Sequence, residues 1–206
     1  LEAAGSAPVP RFTHDLDAPA AVIHTSGTSA APRPVELTYG NWLWSALGAA
    51  VALGLDPQER WLCALPLAHV GGLSILLRSV IYGTTAVLHE RFEAERVLAE
   101  LLDPQGATVV SLVPTTLGRL LDAGLERPPR LRCALVGGAA LPTALSGRAR
   151  AGGLPVSHTY GLTEACSQVS TQPVGETGRA GATEDAGVPL VGTRVRIAED
   201  GAVSYT

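Results

Sequence analysis

The 206-residue sequence contains no methionine and only three cysteines. Cys63, Cys133 and Cys166 lie far apart and form no CxxC pair, which excludes a disulfide scaffold and a zinc ribbon. We predict that they are reduced thiols, buried as small apolar groups. The five histidines show neither HExxH nor Hx3H spacing, so we expect no metal site built from protein side chains alone.

Runs of basic residues and long apolar segments are missing as well. The formal net charge is −4 and no Arg-rich run occurs, which argues against a nucleic-acid-binding surface. The uncharged stretch at residues 61–77 contains Pro66 and two adjacent glycines, which would break a spanning helix of about 20 residues. No signal peptide opens the chain. We therefore expect a soluble, cytoplasmic protein that neither binds nucleic acid nor inserts into a membrane.

The missing methionine also concerns the ends of the chain. The sequence lacks a start residue of its own and stops inside a strand-like segment, residues 202–206. We expect it to be part of a longer protein. Its patterning predicts a flexible lead-in over residues 1–18, a core over residues 19–172 and the start of a truncated β subdomain over residues 173–206.

What the sequence does contain is a regular alternation of apolar strand-like runs with helical segments. This alternation predicts an α/β fold with a largely parallel sheet flanked by helices, followed by a short antiparallel C-terminal portion. The strand-like runs are apolar almost throughout, as in strands buried on both faces. Predicted strands cover residues 20–24, 61–65, 85–89, 108–113, 131–136 and 155–160, with shorter ones at 168–171, 187–189 and 193–197. Predicted helices cover residues 38–55 with Thr38 as N-cap, 72–82, 93–102, 142–151 and a segment that starts at Pro114.

Four loops that follow these strands are rich in glycine, hydroxyl and aromatic residues: residues 25–29, 66–72, 137–140 and 160–164. In an open parallel sheet, ligands bind beyond the carboxyl ends of the strands, so these loops together describe a nucleotide-sized cleft. Taken singly, each also fits a structural role as a Ser/Thr-rich turn, a helix cap or a tight strand-to-helix turn. The pattern GxxxxGK[ST] is absent, which excludes a P-loop NTPase.

The side chains in these loops suit a nucleotide. Hydroxyl groups in residues 25–29 can donate hydrogen bonds to phosphate oxygens. Tyr160 offers a ring on which a base can stack, and Gly161 lets the backbone turn. Thr163 and Glu164 would place a hydroxyl and a carboxylate at a helix start, a pairing that suits Mg²⁺ bound to phosphate oxygens.

In this order, the segments resemble the adenylate-forming superfamily of acyl-CoA synthetases, luciferases and peptide-synthetase adenylation domains. The resemblance is carried by a phosphate-loop motif at residues 25–33, by residues 66–72 and above all by residues 160–164, Tyr-Gly-Leu-Thr-Glu. Within the superfamily, residues 69–76 and 159–169 are most similar to the o-succinylbenzoate–CoA ligases of menaquinone biosynthesis.

The resemblance implies the large N-terminal domain of an ATP-dependent ligase. In such enzymes a carboxylate attacks the α-phosphate of ATP, pyrophosphate leaves, and the acyl-adenylate is transferred to the thiol of coenzyme A. ATP, Mg²⁺, coenzyme A and a small carboxylic acid, with o-succinylbenzoate as the first candidate, are thus implied, and a homo-oligomer is allowed. Because an anionic acid must approach an anionic triphosphate, cations and oriented donors should dominate catalysis.

The same resemblance assigns roles at the nucleotide. The β- and γ-phosphates would be held, together with Arg33, by Thr25, Ser26, Gly27, Thr28 and Ser29. The rest of the nucleotide would be bordered by Gly137, Gly138, Ala139, Tyr160 and Gly161, with Tyr160 stacked on adenine. Thr163 would touch the phosphates, and Glu164 would hold Mg²⁺.

On the acid side, the resemblance implies that His69 lines the acyl pocket and gates the two half-reactions. The second carboxylate of o-succinylbenzoate needs a partner, and we predict Arg78 for it, with Ser167 and Gln168 as hydrogen-bond donors. Two alternatives stay open at this point. His69 can be a core or capping histidine, and Arg78 can lie on a solvated helix face.

The sequence also departs from the superfamily pattern. Residues 29–34 read Ser-Ala-Ala-Pro-Arg-Pro where the family has Thr-Gly-x-Pro-Lys-Gly, so a glycine is lost and Arg33 replaces lysine. The family's ribose-binding aspartate, hinge and C-terminal lid domain with its lysine have no counterpart here. We expect the 206-residue chain alone to bind ATP weakly without turnover. Another aryl- or acyl-CoA synthetase, or a non-catalytic nucleotide-binding relative, remains an alternative.

Overall fold

The computed structural model describes residues 12–25, 32–174, 185–199 and 203–205. Its helices are α1 Tyr39–Leu53, α2 Val70–Tyr82, α3 Ala94–Leu102, α4 Pro114–Asp122 and α5 Thr143–Ala151. Its strands are β1 Pro19–Thr25, β2 Arg33–Thr38, β3 Arg60–Cys63, β4 Thr85–Leu88, β5 Val109–Leu112, β6 Cys133–Val136, β7 Val156–Leu162, β8 Ser167–Thr171, β9 Val188–Pro189, β10 Val195–Ile197 and β11 Val203–Tyr205. A 3₁₀ turn, Thr163–Ala165, separates β7 from β8.

The main sheet, as far as the described ranges extend, contains seven strands in the order β4-β3-β5-β6-β7-β8-β9. From β4 to β7 neighbouring strands are parallel, whereas β8 and β9 join in antiparallel pairing. All residues of β5 and β6 are buried, because helices cover both faces of the sheet there. The predicted α/β class with a largely parallel sheet is confirmed.

Two apolar cores lie on the two faces of this sheet. One cluster joins α3, α4 and α5 to strand residues such as Val110 and Ala134. The other joins α1 and α2 to the neighbouring strand residues Val109 and Cys133. Successive side chains of a strand point to opposite faces, so each apolar strand contributes to both cores.

The prediction that residues 20–24 belong to the parallel sheet is wrong. β1 instead pairs antiparallel with β2, a strand that the sequence analysis did not predict, and the two form a separate sheet. The connection between them is too short for a parallel crossover, which needs a dozen or more residues. Only one face of this hairpin is buried, where Ile23 and Leu37 pack against Trp42 and Cys166.

The strands after residue 161 divide between two sheets. β8 and β9 extend the main sheet, whereas β10 and β11 form a separate antiparallel pair. The predicted antiparallel C-terminal portion is therefore present, and part of it is continuous with the core. The proposed domain boundaries after residues 18 and 172 remain predictions.

Helix α1 begins as predicted. The Thr38 hydroxyl accepts a hydrogen bond from the Asn41 amide at 3.1 Å, and the Asn41 side chain accepts one from the Thr38 amide at 2.9 Å. This reciprocal capping box satisfies two backbone donors at the helix start. Among the described residues, no helix has both the length and the apolar character needed to cross a membrane.

Candidate functional site

The carboxyl ends of β3, β5, β6 and β7 border a cavity of about 250 Å³ at one edge of the main sheet. This is where ligands bind in open α/β sheets. The predicted site residues that line the cavity are His69, Arg78, Gly137, Gly138, Gly161, Thr163, Ser167 and Gln168. Three of the four predicted loops therefore meet at one edge.

For the fourth loop, the phosphate-loop segment at residues 25–33, the structure describes only the two ends. Ser26, Gly27, Thr28 and Ser29 lie outside the described residues, and their phosphate contacts remain predictions. Thr25 and Arg33 pair with each other across the β1–β2 hairpin. Strand β2 contacts the Thr163–Ala165 turn, so the hairpin lies beside that turn.

Besides Thr25 and Arg33, three further predicted nucleotide contacts do not line the cavity. Tyr160 lies within β7 rather than at its end, and 43% of its surface is exposed. Ala139 is exposed next to Gly138. Glu164 is exposed and lines a second cavity of about 590 Å³, which also includes Gln168. Gln168 thus lies between the two cavities, and the nucleotide roles of these residues remain predictions.

His69 is exposed at the start of α2 and lines the smaller cavity. Its carbonyl oxygen accepts hydrogen bonds from the amides of Gly72 and Leu73, both at 3.1 Å. Its imidazole makes no capping hydrogen bond to the helix. The alternative of a core histidine is therefore wrong, and the ring is available at the cavity.

Arg78 is buried in α2, with only 2% of its surface exposed. One terminal nitrogen, Nη1, donates to Gln168 Oε1 at 2.5 Å, and the other, Nη2, donates to the Ser45 hydroxyl at 3.0 Å. The guanidinium carbon lies 5.9 Å from the centre of the Trp61 ring. The alternative of a solvated helix face is wrong for this arginine.

The partners of Arg78 are all uncharged. Within the described ranges it forms no ion pair, and its Nε–H is buried without a hydrogen-bond partner. Burial is the largest effect and lowers the pKa of its guanidinium, while the neighbouring Tyr82 and Cys166 act in the opposite direction. A buried charge without a counterion is costly unless something else compensates it. An anionic ligand in the cavity would supply that compensation.

Gln168 is held in place from its other side. Its amide Nε2 donates to the Thr171 hydroxyl at 2.6 Å, and that hydroxyl lies 2.8 Å from the hydroxyl of Thr159. The Thr159 hydroxyl also donates to the Ser170 carbonyl at 2.7 Å. These bonds fix the Gln168 oxygen as an acceptor toward Arg78, so the amide cannot flip without losing both contacts.

The turn between β7 and β8 has an unusual backbone. Cys166 has φ of 53° and Ser167 has φ of 98°, although neither is glycine. Such conformations cost about 1–3 kcal/mol each and tend to occur at functional sites. At Gly161 a side chain would lie 2.0 Å from the Ser167 carbonyl oxygen, so only glycine allows the two strands to approach this closely.

Gly137 also has a packing role. A Cβ there would lie 2.7 Å from a methyl carbon of Thr159, so the end of β6 can approach β7 only without a side chain. Gly138 has φ of 78°, which favours glycine. The tight strand-to-helix turn considered above is therefore present, and the same two glycines line the cavity.

Sequence reasoning missed three polar contributors to this site. Ser45 binds Arg78, and Trp61 donates from its indole nitrogen to the Ser111 hydroxyl at 3.0 Å. Ser111 lines the cavity from within β5. A serine in an otherwise apolar buried strand is a signal that could have identified Ser111. The sequence signal for Ser45 is weaker, because a single serine in an apolar helix is common.

The three cysteines are free thiols in the interior, as predicted. Burial raises the pKa of Cys63, and it raises the pKa values of Cys133 and Cys166 to about 12. These thiols are therefore protonated at neutral pH and poor nucleophiles. In the described part of the chain, no group of three acidic, histidine or cysteine side chains could hold a metal ion.

A cavity at the carboxyl ends of parallel strands, bordered by close-packed glycines and by Thr163, is typical of an α/β protein that binds a ligand at this end of its sheet. The chain belongs to the AMP-binding enzyme family, whose family model matches residues 2–204.

Individual relatives narrow the comparison. The chain is 43% identical over 188 residues to the 2-succinylbenzoate–CoA ligase of Bacillus pumilus, which covers 91% of this chain and 38% of the relative. The o-succinylbenzoate CoA synthetase of Bacillus subtilis in complex with its acyl-adenylate intermediate superposes with a TM-score of 0.84 at 41% identity, covering 93% of this chain and 39% of that one. The same synthetase with ATP and magnesium ion gives 0.83 at 41% identity, over 93% and 40%. The chain thus spans about two fifths of the length of these relatives.

Proposed function

We infer that this chain is the nucleotide- and acid-binding part of an ATP-dependent 2-succinylbenzoate–CoA ligase in menaquinone biosynthesis. The observation that carries the proposal is Arg78, a buried cation that lines the cavity and has only uncharged partners among the described residues. An acid with a second carboxylate is the kind of substrate that such a cation selects. The named relatives support the same reaction.

Arg78 keeps enough donors for a carboxylate. A guanidinium has five N–H groups, and Ser45 and Gln168 occupy two of them. In the proposal, the distal carboxylate of the acid binds the remaining donors, which include the unpartnered Nε–H. The benzoate carboxylate then points toward the edge of the cavity that Thr163 lines.

The chemistry consists of an adenylyl transfer followed by an acyl transfer. A carboxylate oxygen of the acid attacks the α-phosphorus of ATP, and the bond to pyrophosphate breaks. In the second step the sulfur of coenzyme A attacks the acyl carbon, AMP leaves, and the thiol proton is released. His69, exposed at the cavity, is the proposed gate between the two steps.

For the residues around the nucleotide, we propose the same roles that the resemblance implies. Thr25, Arg33 and the hydroxyl groups of residues 26–29 would hold the phosphates, and Tyr160 would stack on adenine. Glu164 is a single exposed carboxylate on the turn, which suits Mg²⁺, since this ion binds one or two carboxylates plus phosphate oxygens. When bound, Mg²⁺ would neutralise phosphate charge and so favour approach of the anionic acid.

A pyrophosphate-release screen of the complete gene product over a panel of carboxylic acids tests this proposal. The panel contains 2-succinylbenzoate, 2-butanoylbenzoate (in which a methyl replaces the distal carboxylate), benzoate and a medium-chain fatty acid. We expect release with 2-succinylbenzoate above all, and mass spectrometry should detect its coenzyme A thioester. Preference for another acid would support a different acyl-CoA synthetase. ATP binding without release for any acid would indicate a non-catalytic relative.

Two further properties remain predictions from the sequence. A cytoplasmic location fits the small soluble substrates of the proposed reaction, and fractionation of cells that express the protein would test it. A homo-oligomer is the second, and sedimentation velocity of the complete gene product would measure its mass in solution.

A further inference from the structure

We propose that Ser45 is a positioning residue that fixes the Arg78 guanidinium for binding of the distal carboxylate. The inference rests on the proposed function, because it assigns Arg78 to the acid. It concerns a helix, α1, that carries none of the predicted site residues and follows the β1–β2 hairpin.

The Ser45 hydroxyl joins two parts of the site. It accepts from Arg78 Nη2 at 3.0 Å and donates to the Cys166 carbonyl oxygen at 2.7 Å. Because a hydroxyl has a single proton, its donation to Cys166 leaves its lone pairs for Arg78 and fixes its orientation. The same oxygen therefore connects the acid-binding cation to the turn that carries Thr163 and Glu164.

Without Ser45, only one terminal nitrogen of Arg78 has a hydrogen-bond partner among the described residues. Gln168 binds Nη1 alone, and the Trp61 ring contacts the guanidinium without directing its edge. A long side chain loses considerable rotamer entropy when it is fixed, so a second hydrogen bond at Nη2 contributes to preorganisation. With both terminal nitrogens held, the guanidinium plane is defined before the acid arrives.

A purely structural role for Ser45 would require its hydroxyl for the packing of α1 against α2. Helices α1 and α2 are also joined by a hydrogen bond from the Tyr82 hydroxyl to the Ala46 carbonyl oxygen. Loss of the Ser45 hydroxyl should therefore leave the helix pair associated. Ser45 is half-buried at the larger cavity, so a small replacement causes no overpacking.

The test compares Ser45→Ala, Ser45→Thr and the control Ser79→Ala in the complete gene product. Ser79 is equally a helical serine, adjacent to Arg78, and within the described residues its buried hydroxyl has no hydrogen-bond partner. Pyrophosphate release gives kcat and KM for 2-succinylbenzoate and for ATP. For 2-butanoylbenzoate, the inhibition constant against 2-succinylbenzoate measures binding without the distal carboxylate.

We expect Ser45→Ala to raise the KM for 2-succinylbenzoate about tenfold, the typical effect of one hydrogen bond to a charged group. The value of kcat should change less than about twofold, because the lost interaction with the distal carboxylate is equally strong in the ground state and the transition state. The affinities for 2-butanoylbenzoate and for ATP should also change less than about twofold, because neither molecule carries that carboxylate. Ser45→Thr retains the hydroxyl and should restore the KM, and Ser79→Ala should match the wild type. Should Ser45→Ala melt early, Ser45→Cys repeats the test with a similar volume and a weaker hydrogen-bonding group.

Equal weakening of both acids, or an unchanged KM in Ser45→Ala, would overturn the positioning role. Arg78→Met separates this failure from failure of the proposed function. If Arg78→Met loses the preference for 2-succinylbenzoate while Ser45→Ala keeps it, only the Ser45 inference fails. If the wild type binds both acids equally, the assignment of Arg78 fails and the Ser45 inference fails with it.

Discussion

Two arginines at opposite edges of the main sheet have opposite kinds of partner. Near the amino ends of the strands, Arg132 donates to the buried carboxylate of Glu59 at 2.8 Å and to the Leu53 carbonyl oxygen at 2.6 Å. At the cavity beyond the carboxyl ends, Arg78 donates to the neutral oxygens of Ser45 and Gln168, and among the described residues no carboxylate pairs with it. The first cation is compensated by a carboxylate of the fold, whereas the second is the one that we propose to be compensated by an anionic ligand.

The carboxylates differ in the same way. Glu59 is buried and also accepts a hydrogen bond from the Thr108 hydroxyl. Glu164 is exposed, and no ion pair to it is present among the described residues. Opposite charges that meet each other stabilise the fold, and opposite charges that are kept apart remain available for an anionic acid and a cation. Substitution of a paired charge should therefore lower mainly the stability of the protein, whereas substitution of an unpaired charge should lower mainly its activity.

The largest expected effect is on stability, at the amino edge. Glu59→Gln leaves Arg132 without its counterion, and breaking a buried pair costs about 3–5 kcal/mol. Because 30% of the Arg132 side chain remains exposed, we expect a loss near the lower end, about 3 kcal/mol. Urea denaturation of the complete gene product measures it. Glu126→Gln, at an exposed pair with Arg127, is the control and should change stability by less than about 0.5 kcal/mol. Equal effects of the two variants would contradict the comparison.

Arg78→Met should behave in the opposite way. We expect the KM for 2-succinylbenzoate to rise about 100-fold, the value of a lost charge-assisted pair, while the KM for ATP stays constant. The free energy of unfolding should change by less than about 1 kcal/mol, because relief of a buried charge offsets two lost hydrogen bonds. Arg119→Met, at an exposed arginine that contacts Phe92 on the other face, serves as the matched control. A loss of stability as large as that of Glu59→Gln would show that Arg78 is structural.

Glu164→Gln tests the second charge at the carboxyl edge. We expect the Mg²⁺ concentration for half-maximal pyrophosphate release to rise about tenfold, because one ligand loses its charge while the phosphate ligands remain. The melting temperature should not change, since Glu164 is exposed and unpaired in the described part of the chain. Mg²⁺ titrations of variant and wild type at saturating acid provide the measurement. An unaltered Mg²⁺ dependence would mean that Glu164 does not hold the ion.

Much of the fold could be predicted because local pattern and global packing agree. The apolar run at Cys133–Val136 can be satisfied only between two helical layers, and Thr38 can cap only the helix that follows it. Strand β2 was not predicted because Pro34 and Glu36 are unusual in a strand and interrupt its apolar pattern. The segment is a half-exposed strand that is formed by pairing with β1. Pairing between distant segments is not encoded in either segment alone.

The site shows the same limit. Motifs with glycine or a hydroxyl next to a strand end identified the loops, since these residues are needed locally for the turn. The orientation of Arg78 could not be predicted, because the apolar sequence around it fits either a buried or an exposed helix face. Packing of α2 against α1 and β8 decides that orientation, and it also brings Ser45 within reach. Both facts depend on contacts between residues far apart in the sequence.

The smallest expected effect is on the pH dependence of stability, and it concerns two buried thiols. Cys133 lies at the amino edge and Cys166 lies beside Arg78. Burial raises the pKa of each from 9.0 to about 12, so above about pH 9 the unfolded chain loses a proton that the folded chain keeps. Stability therefore falls as the pH rises, by about 1 kcal/mol per thiol between pH 8.0 and 9.5. Cys133→Ala and Cys166→Ala should each remove that share of the slope in urea denaturation. If only Cys133→Ala flattens the slope, the Arg78 charge stabilises the Cys166 thiolate more than burial opposes it, and this cation already has an anionic partner at alkaline pH.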